Sequence, residues 1–252
     1  MSFNVPAEAY RQFMGRYSEP LAEEFVEYAG LPQGGRVLDV GCGPGVLTEQ
    51  LVQRLGASEV CAIDPSPPFV EETRLRFPGV DVRQGVAEVL PYADDAFAAA
   101  LAQLVVHFMT DPVAGLREMG RVTRPEGVVA ACVWDNAGAS GPLSLFWRAA
   151  HDIDPSAPGE ADRAGSREGH LGELAEAAGL HDIESSSLTV HVPFASYDEW
   201  WAPYELGVGP AGDYLASLDD GRRERIRGRC AELLPEPPFE QAATAWCVRA
   251  RA

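Results

Sequence analysis

The chain has 252 residues, 46% apolar and 23% charged, the mix of a soluble globular protein with room for one large domain. Its formal charge of −18 repels nucleic acid and anionic membranes at long range. Arginine carries all the positive charge, and the absence of lysine excludes a P-loop lysine, a pyridoxal Schiff base and a lysine general base.

No stretch has the length and apolarity of a bilayer span, and the N-terminal residues lack the basic and apolar regions of a signal peptide; a cytoplasmic protein is expected. The five cysteines, Cys42, Cys61, Cys132, Cys230 and Cys247, show neither metal nor redox spacing and read as small buried residues.

The first thirty residues read as two helices, "AEAYRQFMG" and "EPLAEEFVEYAG", broken around Gly15 to Ser18 and ended by Gly30. From residue 36 strands and helices alternate. "RVLDV", "EVCAID", "VDVRQG", "AFAAALAQLVV" and "GVVAACVWD" read as strands. "TEQLVQRLG", "SPPFVEETRLRF" and "DPVAGLREMGRVTR" read as helices, with Ser66 and Asp111 as N-caps. This order means β-α-β units and a parallel sheet covered on both faces.

After Asp135 the rhythm changes. "LSLFWRAAHDI" and "REGHLGELAEAAGL" read as helices, separated by "DPSAPGEADRAGS", a polar segment expected to be mobile. "DIESSSLTVHVPF" and "AATAWCVRARA" read as late strands, with an aromatic, partly helical insertion between them at about residues 195–235. One α/β domain over 1–252 is expected: a helical cap over 1–30, a ligand-binding core over 36–135 and acceptor-side elements over 136–252.

Between the first strand and its helix stands "VLDVGCGPG", with Gly41, Gly43 and Gly45. Glycines there let the backbone turn sharply and let a ligand approach it. The dinucleotide fingerprint is G-x-G-x-x-G; here the spacing is G-x-G-x-G and Val46 stands where the last glycine would fall, which counts against NAD. "VLDVGCGPG" resembles motif I of the class I S-adenosylmethionine (SAM) methyltransferases. Three further stretches carry the resemblance in order: "VCAIDPS", the region from "GVAEVLPYADDAFAAALAQLVVHFMTDP", and "LREMGRVTRPEGVVAACVWD". The stretch "GVAEVLPYADDAFAAALAQLVVHFMTDP" looks like the type 11 branch, which includes quinone-pathway and many secondary-metabolite enzymes.

The resemblance implies a Rossmann-like, seven-stranded, mostly parallel sheet whose last strand is antiparallel. It implies SAM as cofactor, S-adenosylhomocysteine as product and no metal. Asp39 would help hold the methionine end of SAM, beside Gly41, Cys42, Gly43 and Gly45. Asp64, with Pro65 after it, would meet the ribose hydroxyls; Ser66 is expected to cap the next helix and leave Asp64 free. The family carries an acid for the adenine amino group where this chain has Val86, which leaves the backbone of Ala87 and the nearby Glu88. Ala102 and Gln103, at the end of the fourth strand, complete the cofactor set. Arg16 and Tyr17 are expected at the amino-acid end of SAM, since an N-terminal segment folds over the cofactor in relatives.

Methyl transfer is an in-line displacement on an activated carbon, so alignment and water exclusion dominate, with a base added for some acceptors. His107, after the fourth strand, and Asp135, at the end of the fifth, are the catalytic candidates. Tyr10, Phe13, Phe146, Trp147, Trp200, Trp201 and Tyr204 are expected to line a pocket for a small apolar or aromatic acceptor. The rivals are a methyltransferase fold that binds without transferring, an NAD oxidoreductase, and a nucleic-acid methyltransferase, against which the charge and the lack of a basic stripe argue.

Overall fold

The computed structural model describes residues 11–252; Tyr10 and the start of the first expected helix lie outside the described residues. Seven strands form one sheet in the order β3-β2-β1-β4-β5-β7-β6. They are β1 (Val37–Val40), β2 (Val60–Asp64), β3 (Asp81–Gln84), β4 (Phe97–Gln103), β5 (Thr123–Trp134), β6 (His181–Phe194) and β7 (Phe239–Arg251). β3 through β5 pair in parallel, and β7 runs antiparallel between β5 and β6. This is the Rossmann-like sheet that the resemblance implies.

The two-residue period of the central strands sorts their side chains between two cores. Val37, Ala99, Leu101, Val128 and Ala130 pack on one face, beneath α1 (Arg16–Ala29) and α2 (Val46–Leu55). Leu38, Val40, Ala100, Ala102, Val129 and Ala131 pack on the other, against α4 (Pro112–Val122), whose buried side is Leu116, Met119 and Val122. α3 (Pro67–Arg76) lies between β2 and β3 in sequence. Asp111 caps α4 by accepting from the Ala114 N–H at 2.9 Å, as its position before a proline predicts.

Two expectations fail near the N-terminus. The chain does not break between Gly15 and Ser18: a π-helical turn over Arg11–Gly15 runs straight into α1, with Gly15 itself in helical conformation. Ser18 is a buried residue inside α1, not a helix start, and Pro20 sits within the helix.

α5 (Ser144–Ile153) and α6 (His170–Ala177) follow β5. The segment between them is not the loose tether that its Pro, Gly and charged residues suggest. Ser156 donates to Asp154 Oδ1 through both N–H (3.0 Å) and hydroxyl (2.6 Å), the Ser166 N–H bonds the Arg163 carbonyl, and the Ala137 N–H bonds the Ser166 carbonyl. Glu160 and Ser166 are buried. α7 (Tyr197–Trp201), α8 (Gly209–Ser217) and α9 (Asp220–Leu233) form the insertion before β7. Among the described residues no helix is long and apolar enough to cross a membrane. The five cysteines are free and buried.

Candidate functional site

β1 leads to β2 and β3 on one side, and the chain then returns to place β4 on the other. The crevice outside the carboxyl ends of β1 and β4 is therefore the switch point where such sheets bind ligands. Gly41, Gly43 and Gly45 open it, all at positive φ (72°, 53° and 88°). The N–H groups of Gly41 and Cys42 both donate to the Ile63 carbonyl, at 2.7 and 3.0 Å, and turn the backbone at once. A Cβ on Gly41 would lie 2.4 Å from a Val105 methyl, so packing as well as φ demands glycine. A Cβ on Gly43 would meet nothing within 4 Å: that side of the loop is open.

Asp64 is the clamp of this loop. Its Oδ2 accepts from the Gly43 N–H at 2.9 Å and its Oδ1 from the Ser66 N–H at 2.8 Å. Ser66 makes no side-chain cap on α3, so the expectation that it would leave Asp64 free is corrected. α3 grips the loop from outside, where the Thr73 hydroxyl donates to the Gly43 carbonyl at 2.9 Å and Arg76 to the Pro44 carbonyl at 2.5 Å. Cys42 is a packing residue beside Ala62, Val70 and Val82.

A cavity of about 330 Å³, including its open mouth, lies against the loop, with Ser18, Asp39, Gly41, Gly43, Gln103 and Leu104 among its walls. Asp39 is 1% exposed, and burial pushes its carboxyl up to about 7 against the Thr48 hydroxyl, which donates to Oδ2 at 2.6 Å and pulls it down. Gln103 donates to the Ser18 carbonyl at 2.8 Å, whereas its Oε1 and the Ser18 hydroxyl are buried with no protein partner. Ser18 had no sequence signal; the unbroken α1 places it there.

The other expected cofactor residues divide. Val86 is exposed, at 45%, while Ala87 is buried, packed towards Gly115 of α4. Glu88 turns to the loop before α4, accepting from the Thr110 N–H at 2.7 Å. Pro65 is exposed and its carbonyl accepts from Gln84. Ala102 lies in the opposite core with Leu38 and Val40. Arg16 and Tyr17 do not wall the cavity. Arg16 pairs with Glu199 at 2.8 Å and lies over the Phe194 ring, and the Tyr17 hydroxyl donates to Gln241 Oε1 at 2.8 Å.

A second cavity, about 490 Å³ including its open mouth, adjoins the first; Leu104 walls both. Leu104 has φ of 62°, the left-handed region that a leucine rarely occupies, and this ends β4 where a longer strand was expected. Phe13, His107, Trp134, Asn136 and Glu160 also line the second cavity. His107 Nδ1 and Trp134 Nε1 are buried without a protein partner. Burial, helped by Arg163, pushes His107 down to about 3, so the ring is neutral at physiological pH.

Of the aromatic residues expected here, Phe13 reaches the second cavity. Phe146, Trp147, Trp200, Trp201 and Tyr204 do not line it; they build the core behind it. Tyr204 stacks on Phe146 at 4.8 Å and on Trp201 at 5.8 Å, with Trp200 at 4.9 Å, and every one of these rings is buried. The correction is physical: large apolar rings on short helices gain more by packing on one another than by facing solvent. Asp135 is also committed. Its Oδ1 accepts from the Gly138 N–H at 2.7 Å and its Oδ2 from the Ser140 hydroxyl at 2.5 Å, which folds the turn after β5. The described residues hold one cluster of possible metal ligands, Glu126, His181 and Asp182, exposed at the opposite end of the strands.

Residues 38–131 match the type 11 methyltransferase family model, described as "Methyltransferase domain". A malonyl-[acyl-carrier protein] O-methyltransferase of Halorhodospira halophila is 34% identical over 134 residues, 51% of this chain and 45% of that protein. A rice 2-methyl-6-phytyl-1,4-hydroquinone methyltransferase is 34% identical over 122 residues, 47% of this chain and 36% of that one. The chain thus spans about half the length, or less, of these curated relatives. Among solved structures, Bacillus subtilis YcgJ matches with a TM-score of 0.59 at 18% identity, covering 93% of this chain and 97% of that one. The SAM complex of Haemonchus contortus phosphoethanolamine N-methyltransferase 2 matches with a TM-score of 0.61 at 15% identity, covering 97% and 56%. With the glycine loop, the switch-point cavity and the seven-stranded order already in place, residues 38–131 resemble the type 11 methyltransferase domain, and the chain shares the fold of solved class I methyltransferases.

Proposed function

We propose that the protein transfers a methyl group from SAM to a small, largely apolar O-, N- or C-acceptor, in the cytoplasm and without nucleic acid as substrate. The observation that carries this reading is the pair of cavities abutting at Leu104, each with buried polar atoms that lack a protein partner.

The first cavity fits the amino-acid end of SAM. An ammonium needs acceptors, and the orphaned Gln103 Oε1 and Ser18 Oγ, with the Asp39 carboxyl, supply them. Asp64, though clamped to two N–H groups, keeps acceptor capacity for ribose hydroxyls, since a carboxylate has about four acceptor sites. SAM, when bound, supplies an activated methyl on a sulfonium. The chain's own task is alignment and dryness. Leu104 and the apolar walls exclude water between donor and acceptor. His107, held neutral, accepts or donates a hydrogen bond and orients the acceptor more than it stores a proton. Asp135 supports the floor through its turn.

The test is calorimetric titration with SAM, S-adenosylhomocysteine and NAD. Both sulfur compounds should bind and NAD should not. Asp64→Ala should stay folded and lose at least about tenfold in S-adenosylhomocysteine affinity, because a charge-assisted bond to the loop is worth about 1.5–3 kcal/mol. Unchanged affinity removes the ribose and loop role. A second reading, a fold that binds SAM but transfers nothing, draws on Val86, which offers no side-chain partner to adenine; turnover of any acceptor ends it.

A further inference from the structure

Among the described residues lining the second cavity, Glu160 is the one charged side chain. It comes from the segment expected to be mobile and is 6% exposed. Two neighbours hold it. Trp147 Nε1 donates to Oε2 at 3.1 Å, and Arg163 Nε pairs with Oε1 at 3.3 Å. Arg163 does not itself line the cavity; its guanidinium sits 5.3 Å over the Phe108 ring, and Phe108 forms part of the wall. The cation is therefore screened from the cavity by Glu160 and Phe108, while the carboxylate faces it. Burial raises the Glu160 carboxyl while Trp147 and Arg163 pull it back down, and in the ionised form that these two donors favour a third partner has only acceptor sites to meet. Trp134, Asn136 and the neutral His107 add polar groups to a wall whose remaining side chains, such as Phe13, Met14, Leu104, Leu143 and Val208, are apolar.

We propose that Glu160 is a specificity determinant: the cavity takes an apolar, ring-sized acceptor presenting a neutral hydroxyl or amine to Glu160, and rejects one presenting a carboxylate. This rests on the reading of the cavity as the acceptor site of a SAM methyltransferase. A carboxylate placed there would face a like charge in a dry site, and its oxygens would find no donor on Glu160. The chain would thereby differ from its malonyl-[acyl-carrier protein] O-methyltransferase relatives, because a malonyl thioester carries a free carboxylate.

The test compares 2-naphthol with 2-naphthoate, two molecules of nearly equal shape, binding to the protein saturated with S-adenosylhomocysteine and followed by tryptophan fluorescence at neutral pH. The expected result is at least about tenfold tighter binding of the naphthol, the scale set by an unpaired polar group in a site built for another. Glu160→Gln, which keeps the side-chain shape, should tighten 2-naphthoate at least about tenfold while S-adenosylhomocysteine affinity stays constant. Equal wild-type affinity for the two probes overturns the proposal and needs no variant to show it. A preference unmoved by Glu160→Gln overturns it too. Failure of S-adenosylhomocysteine itself to bind would instead strike the methyltransferase reading, so the two failures are distinct.

Discussion

Around Gly41 the cavity walls are the glycine loop and the polar Ser18, Asp39 and Gln103, with Val46, Leu47 and Leu104 beside them; around His107 they are mostly rings and aliphatic chains carried by distant elements. The glycine loop is held by hydrogen bonds to Asp64, Ile63 and Thr73 and by close contact with Val105. The region behind the second cavity is held by aromatic packing, with Tyr204 ringed by Phe146, Trp200, Trp201 and Phe13. Directional bonds fix a loop to a small tolerance, which suits an invariant cofactor. Packed rings can be exchanged volume for volume without losing the fold, which suits a variable acceptor.

The largest effect expected from breaking this contrast is at Tyr204. Tyr204→Ala should cost about 3–5 kcal/mol in urea unfolding, the range for emptying a buried aromatic site, while folded protein keeps its S-adenosylhomocysteine affinity. A variant that stayed stable and lost only acceptor binding would return the ring cluster to the pocket. Next comes Gly41→Ala, which drives a Cβ to 2.4 Å from Val105 and asks alanine for a φ of 72°. It should cost about 2–4 kcal/mol and also abolish S-adenosylhomocysteine binding, coupling fold to cofactor where Tyr204 does not. Cofactor binding unchanged in Gly41→Ala would mean the loop is not the cradle.

The smallest effect is a pH dependence at Asp39. Burial holds its carboxyl at about 7, above the usual 3.8. The folded state then binds the proton more tightly than the unfolded one, so this group's contribution to stability is full below about pH 4 and is lost as pH rises through about 7. A bound ammonium favours the ionised form and reverses the preference. S-adenosylhomocysteine affinity should therefore climb from about pH 5 to about pH 7 and level off above, by at most about tenfold per pH unit. Asp39→Asn should flatten the profile. A flat wild-type profile in calorimetry would remove Asp39 from the ammonium.

The parallel core was legible because its signals are local. Apolar runs, the caps at Asp111 and Gly30 and the glycines at 41, 43 and 45 each act within a few residues. The site was legible only along the same strands: Asp39 and Gln103 face the cavity because they end or nearly end β1 and β4. Ser18 and Glu160 were not legible. Their surroundings suggested a helix boundary and a loose tether, and what reverses both is contact with residues far along the chain or across the loop: Gln103 on the Ser18 carbonyl, Trp147 on Glu160.

By itself, then, the sequence determined the order of strands and helices, the glycine turn and the likeness of residues 38–131 to a methyltransferase domain, since backbone conformation follows from short-range sterics and periodicity. Tertiary structure alone decided which polar groups stay unpartnered and which aromatics close into core. Arg16 pairs with Glu199 and Tyr17 with Gln241, 183 and 224 residues away, and Tyr204 stacks on Phe146 behind the second cavity. A side chain's role depends on what else competes for it, and the competitors meet only when the sheet has assembled.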